Sequence, residues 1–134
     1  MATPDPLREK AAQLARDGYR IDTAPCPTRA VARWHGRVIA DSARAIVLAE
    51  TRHNPVIYFP RADVRMDLLQ RSTHRTHCPF KGDASYFTLA DGAERAENAV
   101  WSYESPIPAV ASIKDHVAFY TQDMGAAFGI VVER

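Results

Sequence analysis

Residues 85–103, SYFTLADGAERAENAVWSY, contain the pattern that decides the fold. Two arms rich in aromatic and apolar residues flank Asp91-Gly92, a dipeptide typical of a tight turn between antiparallel strands. Similar arms flank His35-Gly36. Residues 45–50 and 56–59 form another pair of apolar runs separated by turn residues. The sequence therefore predicts a series of hairpins, about seven short strands in total, and a mainly β (α+β) fold.

Two segments between the strands show a helical pattern. Residues 62–69 predict a helix of about two turns, and residues 108–121 predict a longer one. In the longer segment Val110, Ile113 and Val117 recur at spacings that place them on one face of a helix. We therefore expect a C-terminal helix that covers a sheet, followed by a last strand over residues 128–132.

The N-terminal residues differ in character from the remainder of the chain. Residues 5–17 predict a short, weakly apolar helix. The connector that follows, TAPCPT, carries prolines on both sides of Cys26, and proline disfavours both helices and central strands. We therefore predict a helical arm and linker over residues 1–28 and a single β domain over residues 29–134.

Length and charge exclude several classes of protein. The chain has 134 residues, and its 17 Lys and Arg nearly balance 16 Asp and Glu, so it lacks the basic excess of a nucleic-acid-binding protein. Its longest wholly apolar run, residues 45–49, has five residues, whereas a membrane-spanning helix needs about 20. The charged N-terminal segment does not resemble a signal peptide. The expectation is one cytoplasmic domain with no nucleic-acid or membrane partner.

The densest group of polar residues is THRTHCPFKGDASY, residues 73–86, which we expect to form a functional loop between a helix and a strand. Here His77 and Lys81 lie close in sequence to Cys78 and would stabilise its thiolate, as a catalytic cysteine requires. The alternative is a thiol that simply packs in the interior. His74, His77 and Cys78 do not follow the spacing of a closed zinc site, so we predict no metal.

The second half of the chain is rich in aromatic residues. Alternation along a strand places Trp101 and Tyr103 on the same face, which lines either the core or a cleft. We predict a small-ligand cleft because apolar walls with a few polar groups are typical of such sites. Its predicted walls are Tyr58, Tyr86, Trp101 and Tyr120, and its predicted polar contacts are Arg52, His77, Lys81 and His116.

Three longer segments resemble a known family. FPRADVRMDLL (residues 59–69), HCPFKGDASY (77–86) and NAVWSYESP (98–106) closely resemble the bacterial and fungal family called domain of unknown function 427, which carries a nucleotidyltransferase-like label. The resemblance covers residues 33–120. It implies a compact two-sheet domain similar to β-tent proteins, with a cleft between the sheets.

The same resemblance supplies no mechanism. Related β-tent proteins hold zinc with CxxC pairs, which this sequence lacks, so the zinc is not carried over. The sequence also lacks the paired metal-binding carboxylates and the Gly-Ser phosphate loop that nucleotidyl transfer uses.

Three functional hypotheses remain at this point, and they leave open whether the protein is an enzyme. The first is a domain that binds a small, anionic ligand in the predicted cleft. The second is a thiol-dependent enzyme that uses Cys78 with His77. The third is an interaction module whose aromatic strand face docks a protein partner or a second copy of the chain.

Overall fold

The structure is a computed structural model that describes Glu9, Gln13 and residues 16–134. Ten strands lie within the described residues: β1 Ile21–Pro25, β2 Ala30–Trp34, β3 Arg37–Ser42, β4 Ile46–Glu50, β5 Val56–Tyr58, β6 Leu69–Cys78, β7 Gly82–Asp91, β8 Glu94–Tyr103, β9 Val117–Phe119 and β10 Ile130–Glu133. Short 3₁₀ helices span Arg61–Asp63, Met66–Leu68, Pro108–Ile113 and Gln122–Met124. The mainly β class predicted from the sequence is confirmed.

The strands form three antiparallel sheets rather than the two that were predicted. Their orders are β1-β4-β5, β10-β2-β3 and β6-β7-β8-β9. The hairpins expected at His35-Gly36 and at Asp91-Gly92 are both present, as β2–β3 and β7–β8. The third sheet arises because β6 and β9, neither of which was expected, extend the β7–β8 hairpin on both sides.

The C-terminal helix predicted over residues 108–121 is absent from this described part of the chain. Pro108–Ile113 forms 3₁₀ turns with a kink at Val110, where φ is −122° and ψ is 31°. A three-residue turn also accommodates the spacing of Val110 and Ile113. The backbone of Asp115 then enters the left-handed region, with φ of 60°, and no α-helix continues through it. The next residues form β9, which is buried and pairs with β8.

The helix expected over residues 62–69 and the functional loop expected over residues 73–86 are also wrong. The first segment contains two 3₁₀ turns and then the start of β6. The second is a hairpin, because β6 pairs with β7 through a short turn at residues 79–81. β6 is an edge strand whose residues 73–77 are all exposed, so it lacks the apolar alternation by which strands are recognised.

The predicted N-terminal helix over residues 5–17 lies mostly outside the described residues. The boundary expected near Thr28 stays a prediction, and β1, which precedes it, pairs along its length with β4. No helix in the described part of the chain is both long and apolar enough to cross a membrane.

The two faces of the β7–β8 hairpin contact two different apolar clusters. Alternation along β7 and β8 directs Phe87 and Val100 into one cluster, around Trp34. It directs Tyr86 and Trp101 into the other. The second cluster contains four buried aromatic residues, and the cavity described next opens onto it.

Candidate functional site

A cavity of about 600 Å³ lies on the aromatic side of the β7–β8 hairpin. We call it the aromatic cleft. It is lined by Glu50, Arg52, His53, Asn54, Val56, Tyr58, Lys81, Tyr86, Trp101, Tyr103, Tyr120, Asp123 and Met124. The lining combines five aromatic rings with three basic and two acidic side chains.

The aromatic walls are held by cross-strand pairing and by contacts between the rings. Tyr86 on β7 lies directly opposite Trp101 on β8. The Trp101 ring lies 4.5 Å from the ring of Tyr120 and meets Tyr58 edge-on at 6.2 Å, measured between ring centroids. Its indole Nε1–H donates to the hydroxyl of Tyr58 at 3.1 Å. These contacts fix the rings in place before any ligand enters.

The tyrosine hydroxyls make this wall a source of hydrogen-bond donors. Burial raises the pKa of Tyr58, Tyr103 and Tyr120 well above that of a free phenol, so all three stay neutral at physiological pH. The hydroxyls of Tyr86 and Tyr120 lie 3.4 Å apart. Because the Tyr58 oxygen accepts from Trp101, its own proton remains available for an acceptor on a ligand.

A nearly buried ion pair forms another part of the wall. Nζ of Lys81 donates to Oε1 of Glu50 at 2.7 Å, and the two side chains are only 14% and 13% exposed. The hydroxyl of Tyr19, which stacks on Phe80, donates to the other carboxylate oxygen of Glu50. The positive charge of Lys81 is therefore largely balanced within the wall itself.

Gly82 allows the backbone conformation that holds Lys81 in the wall of the cleft. Its φ of 112° is accessible to glycine, and a Cβ there would lie 3.2 Å from the carbonyl oxygen of Ser105. The amide of Ile107 donates to the carbonyl of Lys81 at 2.9 Å, which ties the turn after β6 to the segment after β8.

Two further basic residues come from a tight turn after β4. The amide of His53 donates to the carbonyl of Glu50 at 3.0 Å, and Arg52 between them has a φ of 68°. A residue other than glycine in this conformation is strained, and such strain often occurs at functional sites. Arg52 is exposed and forms no ion pair within the part of the chain that the structure describes.

The structure places six of the eight residues predicted to form the cleft around this cavity. They are Arg52, Tyr58, Lys81, Tyr86, Trp101 and Tyr120. The other two, His77 and His116, do not line the cleft. Nδ1 of His116 lies 2.9 Å from the carbonyl oxygen of Lys114. His116 does not join the others because the predicted helix that would have carried it does not form.

The structure does not bring the predicted catalytic pair together. His77 and Cys78 are neighbours on β6, and adjacent side chains of a strand point to opposite faces. Nδ1 of His77 lies 2.7 Å from Oδ1 of Asp83 on the exposed side, whereas Cys78 packs against the aromatic cluster. Neither residue lines the aromatic cleft.

The third member of the polar group, His74, packs edge-on against Tyr86 with ring centroids 4.5 Å apart. Over the described residues, no group of three or more His, Cys, Asp or Glu side chains is arranged to hold a metal ion.

Sequence reasoning missed several residues of the cleft, above all Glu50, Tyr103 and Asp123. The alternation along β8 had already placed Tyr103 on the same face as Trp101, but Tyr103 was not included among the predicted walls. Glu50 carries a weaker signal, an acidic residue at the end of an apolar strand. Asp123, on the 3₁₀ turn after β9, carries none.

Comparison with known protein families identifies the class of this domain. A family model named NTP_transf_9, described as Domain of unknown function (DUF427), matches residues 22–129. The chain therefore belongs to the DUF427 family, as the three sequence segments suggested, and the match also includes β2 and all but the first residue of β1. No curated protein matches the chain.

Proposed function

We propose that the aromatic cleft binds a small, ring-containing molecule that carries one negative charge. The observation that supports this most is the convergence of five aromatic rings with Arg52, His53 and Lys81 around one cavity. Its volume of about 600 Å³ is within the range of small-molecule sites, about 300–1,000 Å³.

The walls favour a planar ring on the ligand. Tyr58, Trp101 and Tyr103 are buried overall, but each of their side chains borders the cavity. Aromatic rings attract another ring through offset-stacked or edge-on contacts, beyond the gain from burying apolar surface. A ring that enters the cleft meets such partners already held in position.

The charges favour a single anionic group. Three basic residues line the cleft together with two acidic ones, and Glu50 already balances Lys81. The carboxylate of Asp123 is exposed and accepts a hydrogen bond from the hydroxyl of Thr121. Arg52 forms no ion pair within the described residues, so its guanidinium is the group that attracts a ligand. A carboxylate fits this arrangement, because it accepts hydrogen bonds from a guanidinium and from neutral tyrosine hydroxyls. A polyphosphate would need several unpaired cations.

Titration calorimetry with benzoate and its neutral analogue benzamide tests the proposal. Benzoate should bind at least about fivefold more tightly than benzamide, because only benzoate pairs with the guanidinium. The variant Arg52→Gln should remove this difference. The matched control Arg95→Gln, an exposed arginine of β8 outside the cleft, should keep it.

Two results would overturn the proposal. One is equal affinity for benzoate and benzamide, which would show that the charge plays no part. The other is the absence of binding by either compound at millimolar concentration.

A further inference from the structure

β5 and β9 lie next to each other beside the aromatic cleft. The two strands are joined at Phe59 and Val117, whose backbone amides donate to each other's carbonyls at 2.8 and 2.9 Å. Among the described residues no second bridge joins β5 to β9. Side-chain contacts such as the hydrogen bond between Trp101 and Tyr58, rather than further backbone bridges, hold the two strands' sheets together here.

A cavity lies on each side of these two strands. Alternation along the two segments puts Tyr58 and Tyr120 on the side of the aromatic cleft and Ile57 and Phe119 on the other side. The second side contains a smaller cavity of about 270 Å³. The two cavities share four lining residues, Asn54, Val56, Asp123 and Met124, and therefore adjoin.

The inner surface of the smaller cavity is apolar. Ile57 and Phe119 are buried, and Val132 is half-buried. Its charged members, Asp123 and Arg134, are exposed. The carboxylate of Asp123 already accepts a hydrogen bond from the hydroxyl of Thr121, another lining residue. An apolar group that enters here meets apolar partners at the inner end.

Met124 stands where the two cavities meet. It is 41% exposed and, with Val38 and Val131, is one of three large apolar side chains exposed among the described residues. Its unbranched thioether side chain has several rotatable bonds and adapts to different shapes. A ligand that passes from one cavity to the other would cover this exposed apolar surface.

From these contacts we infer that one ligand spans both cavities, with its anionic ring in the aromatic cleft and an apolar chain in the smaller cavity. The ligand class is thus an amphipathic monoanion, a ring carboxylate that carries an alkyl substituent. This inference rests on the proposed function, because the aromatic cleft must first hold the ring.

Calorimetry with benzoate and 4-butylbenzoate tests the inference. Each methylene buried in an apolar site strengthens binding about fourfold, so partial burial of the butyl chain should raise affinity at least about tenfold over benzoate. The variant Val132→Trp should fill the smaller cavity and abolish this gain while leaving benzoate affinity unchanged. The control Val131→Trp changes the adjacent, exposed residue of β10, which does not line the cavity, and should keep the gain.

The outcomes separate this inference from the proposed function. If benzoate binds but the butyl chain adds nothing, or if Val132→Trp keeps the gain, the smaller cavity is not a subsite and the aromatic cleft stands alone. If benzoate itself does not bind, the proposed function has failed. Should Val132→Trp not fold, the smaller change Val132→Asn provides the same test, since a polar group in the smaller cavity should also reduce the gain from the butyl chain while leaving the aromatic cleft intact.

Discussion

Removing the carboxylate of Glu50 should weaken the fold and strengthen anion binding at the same time. In the variant Glu50→Gln the ammonium of Lys81, only 14% exposed, loses its charged partner. Breaking a fully buried pair costs about 3–5 kcal/mol, whereas an exposed pair contributes about 0–1 kcal/mol. Because this pair borders a cleft that water can enter, we expect the free energy of unfolding to fall by about 2–3 kcal/mol.

The same change should favour the ligand. A unit charge about 8 Å from the bound carboxylate, in surroundings with a dielectric constant of about 40, contributes about 1 kcal/mol. Removing the negative charge of Glu50 should therefore raise the affinity for benzoate about fivefold. Stability and affinity thus change in opposite directions, which a general loss of structure would not produce.

Urea unfolding and benzoate titration measure the two effects on the same preparation. The matched control is Asp22→Asn, which breaks an ion pair with Arg20 whose side chains are 67% and 76% exposed. That change should alter the free energy of unfolding by less than about 0.5 kcal/mol. The reasoning is refuted if Glu50→Gln is as harmless as the control, or if it weakens benzoate binding.

Three other predictions follow from individual residues. Arg52→Gly should lower benzoate affinity at least about fivefold in calorimetry but should not reduce stability in urea by more than about 0.5 kcal/mol, because glycine relieves the positive φ. The control Asp115→Gly, which has a similar φ outside the cleft, should leave benzoate affinity unchanged. Hydrogen bonds from two arginines, mainly Arg71, lower the pKa of Glu104 to about 2. Glu104 therefore stabilises the fold by about 2 kcal/mol at neutral pH, and this contribution should be lost as pH falls from about 4.5 towards 2. A free energy of unfolding that does not change over this pH range in urea titrations would contradict the prediction. Gly82→Ala should cost about 2–3 kcal/mol in thermal or urea unfolding, because a φ of 112° strains any residue with a Cβ and that Cβ would lie 3.2 Å from a backbone carbonyl. Gly92→Ala, at a φ of 60° with open space around it, should cost about 1 kcal/mol, and equal losses would contradict this reasoning.

The parts of the fold that the sequence predicts are those encoded locally. The Asp91-Gly92 hairpin follows from a turn dipeptide between apolar arms, and β7 and β8 pair as expected. β6 escaped prediction because an edge strand with solvent on most sides needs no apolar alternation. The helix predicted over residues 108–121 was wrong because an apolar spacing of three also fits a 3₁₀ turn. The left-handed backbone of Asp115 alone separates that turn from β9.

The candidate site was partly predictable for the same reason. The aromatic residues are recognisable by type and by strand alternation, and the structure gathers Tyr86, Trp101 and Tyr120 around one cavity. The partner of Lys81 was not predictable, because Glu50 lies 31 positions away in sequence and reaches it only through the packing of the first sheet against the third. Contacts between sheets depend on the whole fold and leave little local trace.

The two tryptophans of the chain provide the most direct test of the central claim that the aromatic cleft binds a ring carboxylate. Trp101 lines the cleft, whereas Trp34 is buried in the other apolar cluster and its indole N–H donates to the carbonyl of Phe128 at 3.1 Å. The measurement is the NMR shift of both indole N–H signals as benzoate is added. The account predicts a saturable shift of the Trp101 signal and none of the Trp34 signal. An unmoved Trp101 signal, or equal movement of both, would contradict it.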